Sequence, residues 1–386
     1  MSIIRRRVGV VILAGALSLA IFASARAASH AVLYSFTGGG DGTGPAARLT
    51  DLRGVLYGTT YGGGVHSSGA VFRVSTAGAE KLVYSFRNGA DGASPRSPVL
   101  NVGGVLYGTT QYGGGASACS GGCGTVFAVT SAGEEIMLYA FRGGADGANP
   151  TAGLIDVGGI LYGTTSYGGA HNYGTVFCIT PNGAERVLYS FTGGKDGGNP
   201  MGRLLKFYGM LYGTTYTGGA NHYGTVFSIT IDGVEKVVYS FKDDSDGAYP
   251  TAGLVSIGQA LYGTSRYGAA HLGTVFSVKP TGSFNVLHSF RGGKDGSEPE
   301  GDLITVGDLL YGVTYQGGST GCFDRLGCGT VFSVTPGKVE TVVYSFKGGS
   351  DGLNPDAGLT NIGGMLYGTT ASGGTDFNGT VFGITP

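Results

Sequence analysis

Seven aspartates recur about fifty residues apart, and they are the most regular groups in this sequence that could do chemistry. They are Asp41, Asp91, Asp146, Asp196, Asp246, Asp295 and Asp351. Calcium prefers oxygen ligands, so a ring of carboxylates raises a calcium hypothesis, with the segment from Asp243 to Asp246 as its best single candidate. Each aspartate, however, is followed by Gly, and Asp-Gly is a turn pair. That segment also lacks the bidentate Glu of a calcium loop. We therefore expect structural turns and no cofactor.

Four histidines fall at nearly the same place in successive loops and are candidate binding residues. They are His66, His171, His222 and His271. Imidazole can donate hydrogen bonds to a ligand and titrates near a pH of about 6.5. Tyrosines in the same loops could stack on sugar rings, and Tyr61, Tyr112, Tyr167, Tyr173, Tyr223 and Tyr267 form this group. The alternative is that these side chains are solvated or pack against adjacent loops.

A third group of candidates emerges when the repeats are aligned on a recurrent proline. The residue three places after that proline is Arg48, Pro98, Gly153, Arg203, Gly253, Asp302 or Gly358. The residue two places after it is always Gly, Ala or Ser, which suits a crowded axis. At this position a charged residue interrupts the pattern of the repeat close to the axis, where its side chain could line a central pocket. Arg48, Arg203 and Asp302 are therefore predicted pocket residues. An ordinary ion pair at the channel rim is the alternative.

Catalytic signatures are scarce in this sequence. It has no Ser/His/Asp order, no metal-spaced His cluster and no nucleotide-binding loop. A glycosidase would need two facing carboxylates about 5–10 Å apart. Glu300, Asp302 and Asp356 come from neighbouring repeats and could approach one another, which leaves a polysaccharide-active hydrolase or lyase as an alternative function.

Five cysteines indicate the redox environment. Cys119 and Cys123 lie in one loop, and Cys322 and Cys328 lie in the equivalent loop of another repeat. We predict a disulfide within each loop, as in an oxidising compartment. Metal binding by either pair is disfavoured because no His lies nearby. Cys178 stands in an apolar run and is expected to be a buried, inert thiol.

Self-similarity determines how these groups are positioned. A unit of about fifty residues occurs seven times, and its last segment ends in Phe36, Phe86, Phe141, Phe191, Phe241, Phe290 and Phe346. Each unit contains four short segments rich in Val, Ile, Thr, Tyr and Phe, bounded by Gly, Pro and Asp, which is typical of strands. The 78 glycines fit the many turns that such a chain requires.

Four strands per unit match a propeller blade, so we predict an all-β, seven-blade β-propeller of four-stranded blades. The chain presents a fourth segment at residues 32–36 and ends after a third segment at residues 379–386. The N-terminal strand is therefore predicted to complete the last blade and close the ring. A β-solenoid or stacked sandwich is the alternative. Loops between the second and third segments are long, and we expect the face that carries them to be the functional face.

The repeat resembles the GloVer tandem-repeat family of bacterial exported proteins. The resemblance lies in LYSF-x-GG-x-DG-x-x-P, G-x-LYGTT-x-x-GG and GTVF, and it covers residues 31–386 and all seven copies. It implies export and a propeller-like repeat, but no activity. Members often carry a C-terminal anchor, whereas here Pro386 ends the last repeat without a hydrophobic tail. Repeat length and Gly-Gly usage give a looser likeness to kelch-type propellers, although Trp is absent.

The N-terminal segment reads as a targeting signal. Arg5, Arg6 and Arg7 precede an apolar stretch at residues 8–23, and residues 25–27 form an A-x-A cleavage site. We predict a signal peptide at residues 1–27, no membrane span after its cleavage, and a single propeller domain at residues 28–386. Loss of four arginines with the signal leaves 20 basic against 25 acidic residues. That balance argues against nucleic acid as a partner.

Together these features predict an exported protein of the periplasm, cell surface or medium. The predicted function is a binding or scaffold module for a carbohydrate or protein ligand, through the long-loop face. A purely structural surface protein is a further alternative to the hydrolase or lyase.

Overall fold

A computed structural model describes residues 28–243, 245–268, 271–319, 322 and 326–386. The predicted signal peptide lies outside these residues, as does Asp244 of the calcium candidate. Within them the chain forms seven antiparallel sheets, and in each of them we label four strands a to d from the axis outward. Among the described residues no helix is long and apolar enough to span a bilayer. The all-β, seven-blade β-propeller predicted from the sequence is confirmed.

Strands a and b form the inner half of each blade. The a strands of blades 1 to 7 are Thr50–Leu52, Leu100–Val102, Ile155–Val157, Leu205–Phe207, Val255–Ile257, Ile304–Val306 and Thr360–Ile362. The b strands are Val55–Gly62, Val105–Thr110, Ile160–Thr165, Met210–Thr215, Ala260–Ser265, Leu309–Thr314 and Met365–Thr370. A further short strand, Thr43–Pro45, pairs with strand b of blade 1. Neighbouring a strands contact one another around the axis.

Strands c and d form the outer half. The c strands are Ala70–Ser75, Thr125–Thr130, Thr175–Ile179, Thr225–Ile229, Thr274–Val278, Thr330–Val334 and Thr380–Thr385. The d strands of blades 1 to 6 are Glu80–Ser85, Glu135–Ala140, Glu185–Ser190, Glu235–Ser240, Phe284–Ser289 and Glu340–Ser345. Single 3-10 turns at Gly293–Asp295 and Gly349–Asp351 follow the last two of these. The c strands are buried along almost their whole length, because neighbouring blades cover both of their faces.

The N-terminal strand Ser29–Ser35 is strand d of blade 7. It pairs antiparallel with Thr380–Thr385, with His30 opposite Ile384 and Val32 opposite Phe382. This pairing satisfies the backbone groups that would otherwise be exposed at the edge of blade 7. Ring closure by the N-terminal strand is thus confirmed.

Phenylalanine pairs hold adjacent blades together. The Phe that follows strand d of one blade packs edge-to-face on a Phe in strand c of the next, with ring centroids 5.0–5.2 Å apart. Phe36 and Phe72 make this contact between blades 7 and 1, and Phe191 and Phe227 make it between blades 3 and 4. Such a pair contributes roughly 0.5–1.5 kcal/mol beyond the burial of its area.

The recurrent aspartates occupy the turns between strand d and the next blade. Asp41 accepts the Tyr34 hydroxyl at 2.9 Å and the backbone N–H of Thr37 at 2.7 Å. Gly42 follows at a φ of 106°, and a Cβ there would collide with the Thr60 side chain. In the other six turns the Asp also accepts the backbone N–H of the residue four places before it. These contacts support the turn interpretation.

The cysteines are arranged as the sequence suggested. Cys119 is bonded to Cys123, and Cys322 is bonded to Cys328. Cys178 is a free and buried thiol in strand c of blade 3. Both disulfides lie in loops that join strands b and c, which indicates an extracytoplasmic, oxidising location.

Candidate functional site

The two faces of the ring differ in loop length. Strands a and b are joined by tight two-residue turns, as between Ile155–Val157 and Ile160–Thr165. The antiparallel order places these turns on one face and the b–c loops, together with the d-to-a connections, on the other. We call the second face the loop face. The central channel opens on it, between the segments that follow the repeat prolines.

The predicted pocket residues line a cavity of about 120 Å³ on the axis. Arg203 of blade 4 lies with its Nε 3.7 Å from an oxygen of Asp302, which comes from blade 6. Asp302 also accepts the backbone N–H of Gly253, in the intervening blade, at 2.6 Å. The structure therefore brings two of the three predicted residues into an ion pair that spans three blades.

Arg48 lies on the opposite side of Asp302. Both residues pack against Gly358, which has no Cβ. A Cβ added there would lie 3.3 Å from the Cδ of Arg48 and 2.8 Å from the backbone oxygen of Asp302. Glycine at that position leaves room for the guanidinium to reach the axis. Burial and the charge of Arg203 lower the pKa of Arg48, while Asp302 raises it. All three predicted residues thus meet at one level of the channel; that they bind a ligand stays a prediction.

Arg48, Arg203 and Asp302 do not lie within strand a. They lie in the segment between each proline and strand a. The backbone of this segment is hydrogen-bonded to the neighbouring blade. For example, the hydroxyl of Thr214, in strand b of blade 4, donates to the carbonyl of Ala252 at 2.9 Å. A Cβ on Gly202 would lie 2.4 Å from that same carbonyl oxygen, so crowding explains why this position is always small.

A second level of charged groups comes from the residue directly after the repeat proline, two positions before that of Arg48, Arg203 and Asp302. Arg96, Glu300 and Asp356 line the same cavity there. The Oδ1 atom of Asp356 is buried and has no hydrogen-bond partner among the described residues. Burial and the charge of Glu300 raise the pKa of Asp356 to about 7. Burial likewise raises the pKa of Glu300.

Arg266 links this level to the channel mouth. Its guanidinium lies 2.9 Å from an Oε of Glu298 and 3.0 Å from an Oε of Glu300. It also lies over the ring of Tyr267, with 5.0 Å from the central carbon to the ring centroid. Because all of these side chains are only partly exposed, the pairs are stronger than ordinary surface ion pairs.

A tyrosine cluster continues from Arg266 along the mouth. The ring of Tyr249 lies 5.0 Å from Tyr216, 5.6 Å from Tyr223 and 6.1 Å from Tyr267, measured between centroids. All four rings are half-buried. The cluster comes from blades 4 and 5 and lies beside the carboxylates of blade 6. We refer to these tyrosines with Arg266, Glu298, Glu300 and Asp356 as the mouth cluster.

Two members of the mouth cluster break a backbone rule of the repeat. The residue before each repeat proline has a positive φ, and five repeats place Gly, Ser or Asn there. The Asn side chain suits this conformation and donates to a carbonyl of the preceding blade, as Asn199 does to Ser166 at 2.8 Å. Tyr249 (φ 54°) and Glu298 (φ 55°) give up that bond. Neither Tyr249 nor Glu298 is among the site residues predicted above, although aligning this position across the repeats reveals both.

The four loop histidines are not brought together. His66, His171, His222 and His271 are exposed on b–c loops of different blades. None of them lines the central cavity. Their role in binding stays a prediction, and the geometry places them outside the mouth cluster.

Comparison with known proteins gives one family match. Residues 116–324, more than half of the chain, match the model of the Gloeobacter/Verrucomicrobia repeat. No curated protein matches the sequence.

Solved structures share the fold at low sequence identity. A puromycin-hydrolyzing peptidase from Mycobacterium tuberculosis is 9% identical with a TM-score of 0.53, over 89% of this chain and 52% of that chain. A putative 6-phosphogluconolactonase from Bacteroides uniformis is 17% identical with a TM-score of 0.48, over 77% of this chain and 83% of that one. The periplasmic gluconolactonase of Pseudomonas aeruginosa is 16% identical with a TM-score of 0.47, over 78% and 88%. At 9% identity the likeness to the peptidase concerns the fold alone.

Proposed function

The chain belongs to the Gloeobacter/Verrucomicrobia repeat family, and we propose that it is an exported propeller. We propose further that it binds an oligosaccharide at the channel mouth on its loop face. The mouth cluster is the binding site. Arg48, Arg203 and Asp302 form the floor beneath it.

The observation that carries this proposal is the asymmetry of the mouth. The Phe pairs, the turn aspartates and the small axial residues repeat around the ring with almost no change. At the mouth, by contrast, Tyr249 and Glu298 replace Gly, Ser or Asn of the other repeats, and Glu298 meets Arg266. A purely structural ring would have no reason to keep two bulky residues in a strained backbone conformation.

The chemistry of the cluster suits a sugar. Half-buried tyrosine rings offer flat apolar faces for the C–H face of a pyranose, and their hydroxyls remain available for hydrogen bonds. Carboxylates and a guanidinium beside them form charge-assisted hydrogen bonds with hydroxyl groups.

Export is supported by the two loop disulfides, which persist in oxidising compartments. Both are in b–c loops of the loop face, where they hold long loops in one conformation. A rigid rim lowers the entropy cost of binding a ligand.

A glycan array tests the proposal. Folded protein, labelled at the N-terminal residue of the chain that begins at residue 28, is applied beside the Tyr208→Ala variant. Tyr208 is an exposed tyrosine on the opposite face, in the turn after Leu205–Phe207. We expect the same class of oligosaccharide to bind both proteins. An array without binding to folded wild-type protein would contradict the proposal.

A second candidate function follows from one further observation. Asp356 combines a pKa near 7 with a buried, unpartnered carboxyl oxygen, and Glu300 lies close enough to raise that pKa. A protonated carboxyl beside a second carboxyl is the arrangement of a glycoside hydrolase, whose general acid has a pKa near the working pH. Asp302 is less suited to proton transfer, because Arg203 and the Gly253 N–H engage it.

Turnover separates the two candidates. Reducing-sugar release would be measured on the oligosaccharides that bind, with wild type, Asp356→Asn and Asp302→Asn. A hydrolase should lose turnover in Asp356→Asn at retained binding. Turnover that persists in this variant would remove Asp356 as the proton donor, and no turnover in wild type would leave binding as the function.

A further inference from the structure

The outer rim of the ring carries a repeated carboxylate arrangement at the seams between blades. At four seams a tyrosine of strand d donates to the turn Asp of the same repeat, and a Glu that begins the next d strand lies beside that Asp. These sets are Tyr34, Asp41 and Glu80; Tyr84, Asp91 and Glu135; Tyr139, Asp146 and Glu185; and Tyr189, Asp196 and Glu235. At these seams the strand d residue offers a phenol hydroxyl that donates to Asp, and it offers no nitrogen ligand.

The seam between blades 5 and 6 differs by one residue. His288 occupies the tyrosine position, and its Nε2 lies 3.0 and 3.2 Å from the two carboxyl oxygens of Asp295. Glu340, which begins strand d of blade 6, supplies the third group. One nitrogen or oxygen atom of each of these three residues lies within 4.8 Å of the other two.

We propose that His288, Asp295 and Glu340 form a binding site for a divalent transition-metal ion, of which Zn²⁺ is the representative, joining blades 5 and 6. The site is independent of the sugar-binding site proposed above, since it lies on the outer rim. Among the described residues this is the single group of three such ligands from His, Cys, Asp and Glu that comes together.

The donor set fits this class of metal. One imidazole nitrogen with two carboxylate oxygens is within the ligand range of Zn²⁺, with water completing the coordination. Bonds of about 2.0 Å in a tetrahedron place neighbouring ligand atoms roughly 3.3 Å apart, close to the His288–Asp295 separation. Calcium and magnesium prefer sites made wholly of oxygen, so the imidazole selects against them.

The surroundings of the three side chains determine whether an ion can reach them and how they are held. The Oε1 atom of Glu340 is buried and lacks a hydrogen-bond partner in the described part of the chain, as does the Oε1 atom of the equivalent Glu at the four tyrosine seams, so the nitrogen of His288 is what distinguishes this seam. His288 and Asp295 remain 16% and 20% exposed, so an ion can enter from solvent. The backbone N–H of Arg291 donates to Asp295 at 2.7 Å and fixes that carboxylate. The competing interpretation is that His288 merely replaces the tyrosine as a hydrogen-bond donor to Asp295.

The repeat supplies matched variants that preserve the fold. His288→Tyr restores the arrangement of four other seams and removes the nitrogen ligand. Glu340→Gln keeps the shape of that side chain and removes its charge. Tyr189→His performs the reverse change beside Asp196 and Glu235, and so creates a second copy of the proposed site.

The experiment is a calorimetric titration of Zn²⁺ into metal-free protein, with the melting temperature as a second measurement. We expect one ion per wild-type chain at about micromolar Kd, and a rise in melting temperature at saturation, because an ion that binds only the folded state stabilises it. We expect at least tenfold weaker binding in His288→Tyr and Glu340→Gln, and two ions per chain in Tyr189→His. Absence of binding in wild type, or equal binding in His288→Tyr, would overturn the proposal.

Discussion

Tyr249 packs against Tyr216 with ring centroids 5.0 Å apart and ring planes tilted by 38°, across the seam between blades 4 and 5. The contact exists because Tyr249 stands where Asn199 stands in the preceding repeat, in a left-handed backbone conformation that Asn accepts more readily than Tyr. In this conformation Tyr249 carries a backbone cost that Asn199 does not.

Replacing Tyr249 by Asn should therefore stabilise the protein. We expect the free energy of unfolding to rise by about 1 kcal/mol, because Asn relieves the left-handed strain and donates to a carbonyl of blade 4. Urea unfolding of wild type and Tyr249→Asn provides the measurement. The reciprocal change, Asn199→Tyr, is the control and should destabilise by a similar amount. A Tyr249→Asn protein that is less stable than wild type would refute the strain argument.

Ring closure predicts that Phe36 is as important as a phenylalanine in the middle of the chain. Phe36 and Phe191 are both fully buried and make the same edge-to-face contact with the next blade. Each substitution to Ala should cost about 3–5 kcal/mol of unfolding free energy. Chemical denaturation measures both. If Phe36→Ala left the unfolding free energy unchanged while Phe191→Ala lowered it, the N-terminal strand would not close the ring in solution.

One blade lacks a buried hydrogen bond that the other six possess. Hydroxyls at the end of strand b and the start of strand c pair at 2.7–2.8 Å, as in Thr165 with Thr175. In blade 1 the partner of Thr60 is Ala70, and the Thr60 hydroxyl is buried without a partner among the described residues.

Ala70→Thr should restore this bond and stabilise the protein by about 1 kcal/mol. Ala70→Val is the matched control, because Val has the shape of Thr without its hydroxyl. Thermal unfolding of the two variants isolates the hydroxyl. If Thr is no more stable than Val at this position, the bond does not form.

The seam carboxylates predict how stability depends on pH. Burial, reinforced by the charge of the turn Asp, raises the pKa of Glu80, Glu135, Glu185 and Glu235 to about 7 from the ordinary value of 4.5. A carboxyl whose pKa is raised on folding binds its proton more tightly in the folded state. Its stabilising effect is therefore complete below pH 4.5 and is lost as the pH rises through 7.

We expect unfolding free energy to fall between pH 5 and pH 8 by about 1 kcal/mol for each of these half-exposed groups, after allowing for solvent screening. At the acid limit, the lowered pKa of Asp41 adds a loss of stability as the pH falls below about 4. Glu135→Gln should reduce the fall of unfolding free energy with pH above pH 5. The control, Glu134→Gln at the adjacent exposed position, should leave that fall unchanged. Equal slopes in both variants would contradict the assignment.

The sequence was sufficient for the features that repeat. Seven copies of the same four segments determine the blades, and the offset of residues 32–36 from residues 379–386 determines ring closure. Cys119 and Cys123 are so close in sequence that their pairing needs no knowledge of the fold. Arg48, Arg203 and Asp302 were identified as breaks in a repeat near the axis, and they do meet there.

What escaped the sequence analysis depends on contacts across blade seams. Arg266 and Glu298 lie 32 residues apart in the chain, and their pairing requires the neighbouring blades to be placed in space. His288 and Glu340 come together in the same way. The breaks at Tyr249, Glu298 and His288 were visible as substitutions within the repeat, but their chemistry needed the partners that only the ring supplies.

The most direct test of sugar binding at the mouth is calorimetry with the oligosaccharide that binds best on the array. Wild type, Tyr249→Asn and Tyr208→Ala are titrated under the same conditions. We predict about tenfold or greater loss of affinity in Tyr249→Asn, equivalent to about 1.4 kcal/mol of lost stacking, and wild-type affinity in Tyr208→Ala. Wild-type affinity in Tyr249→Asn would contradict the proposed site.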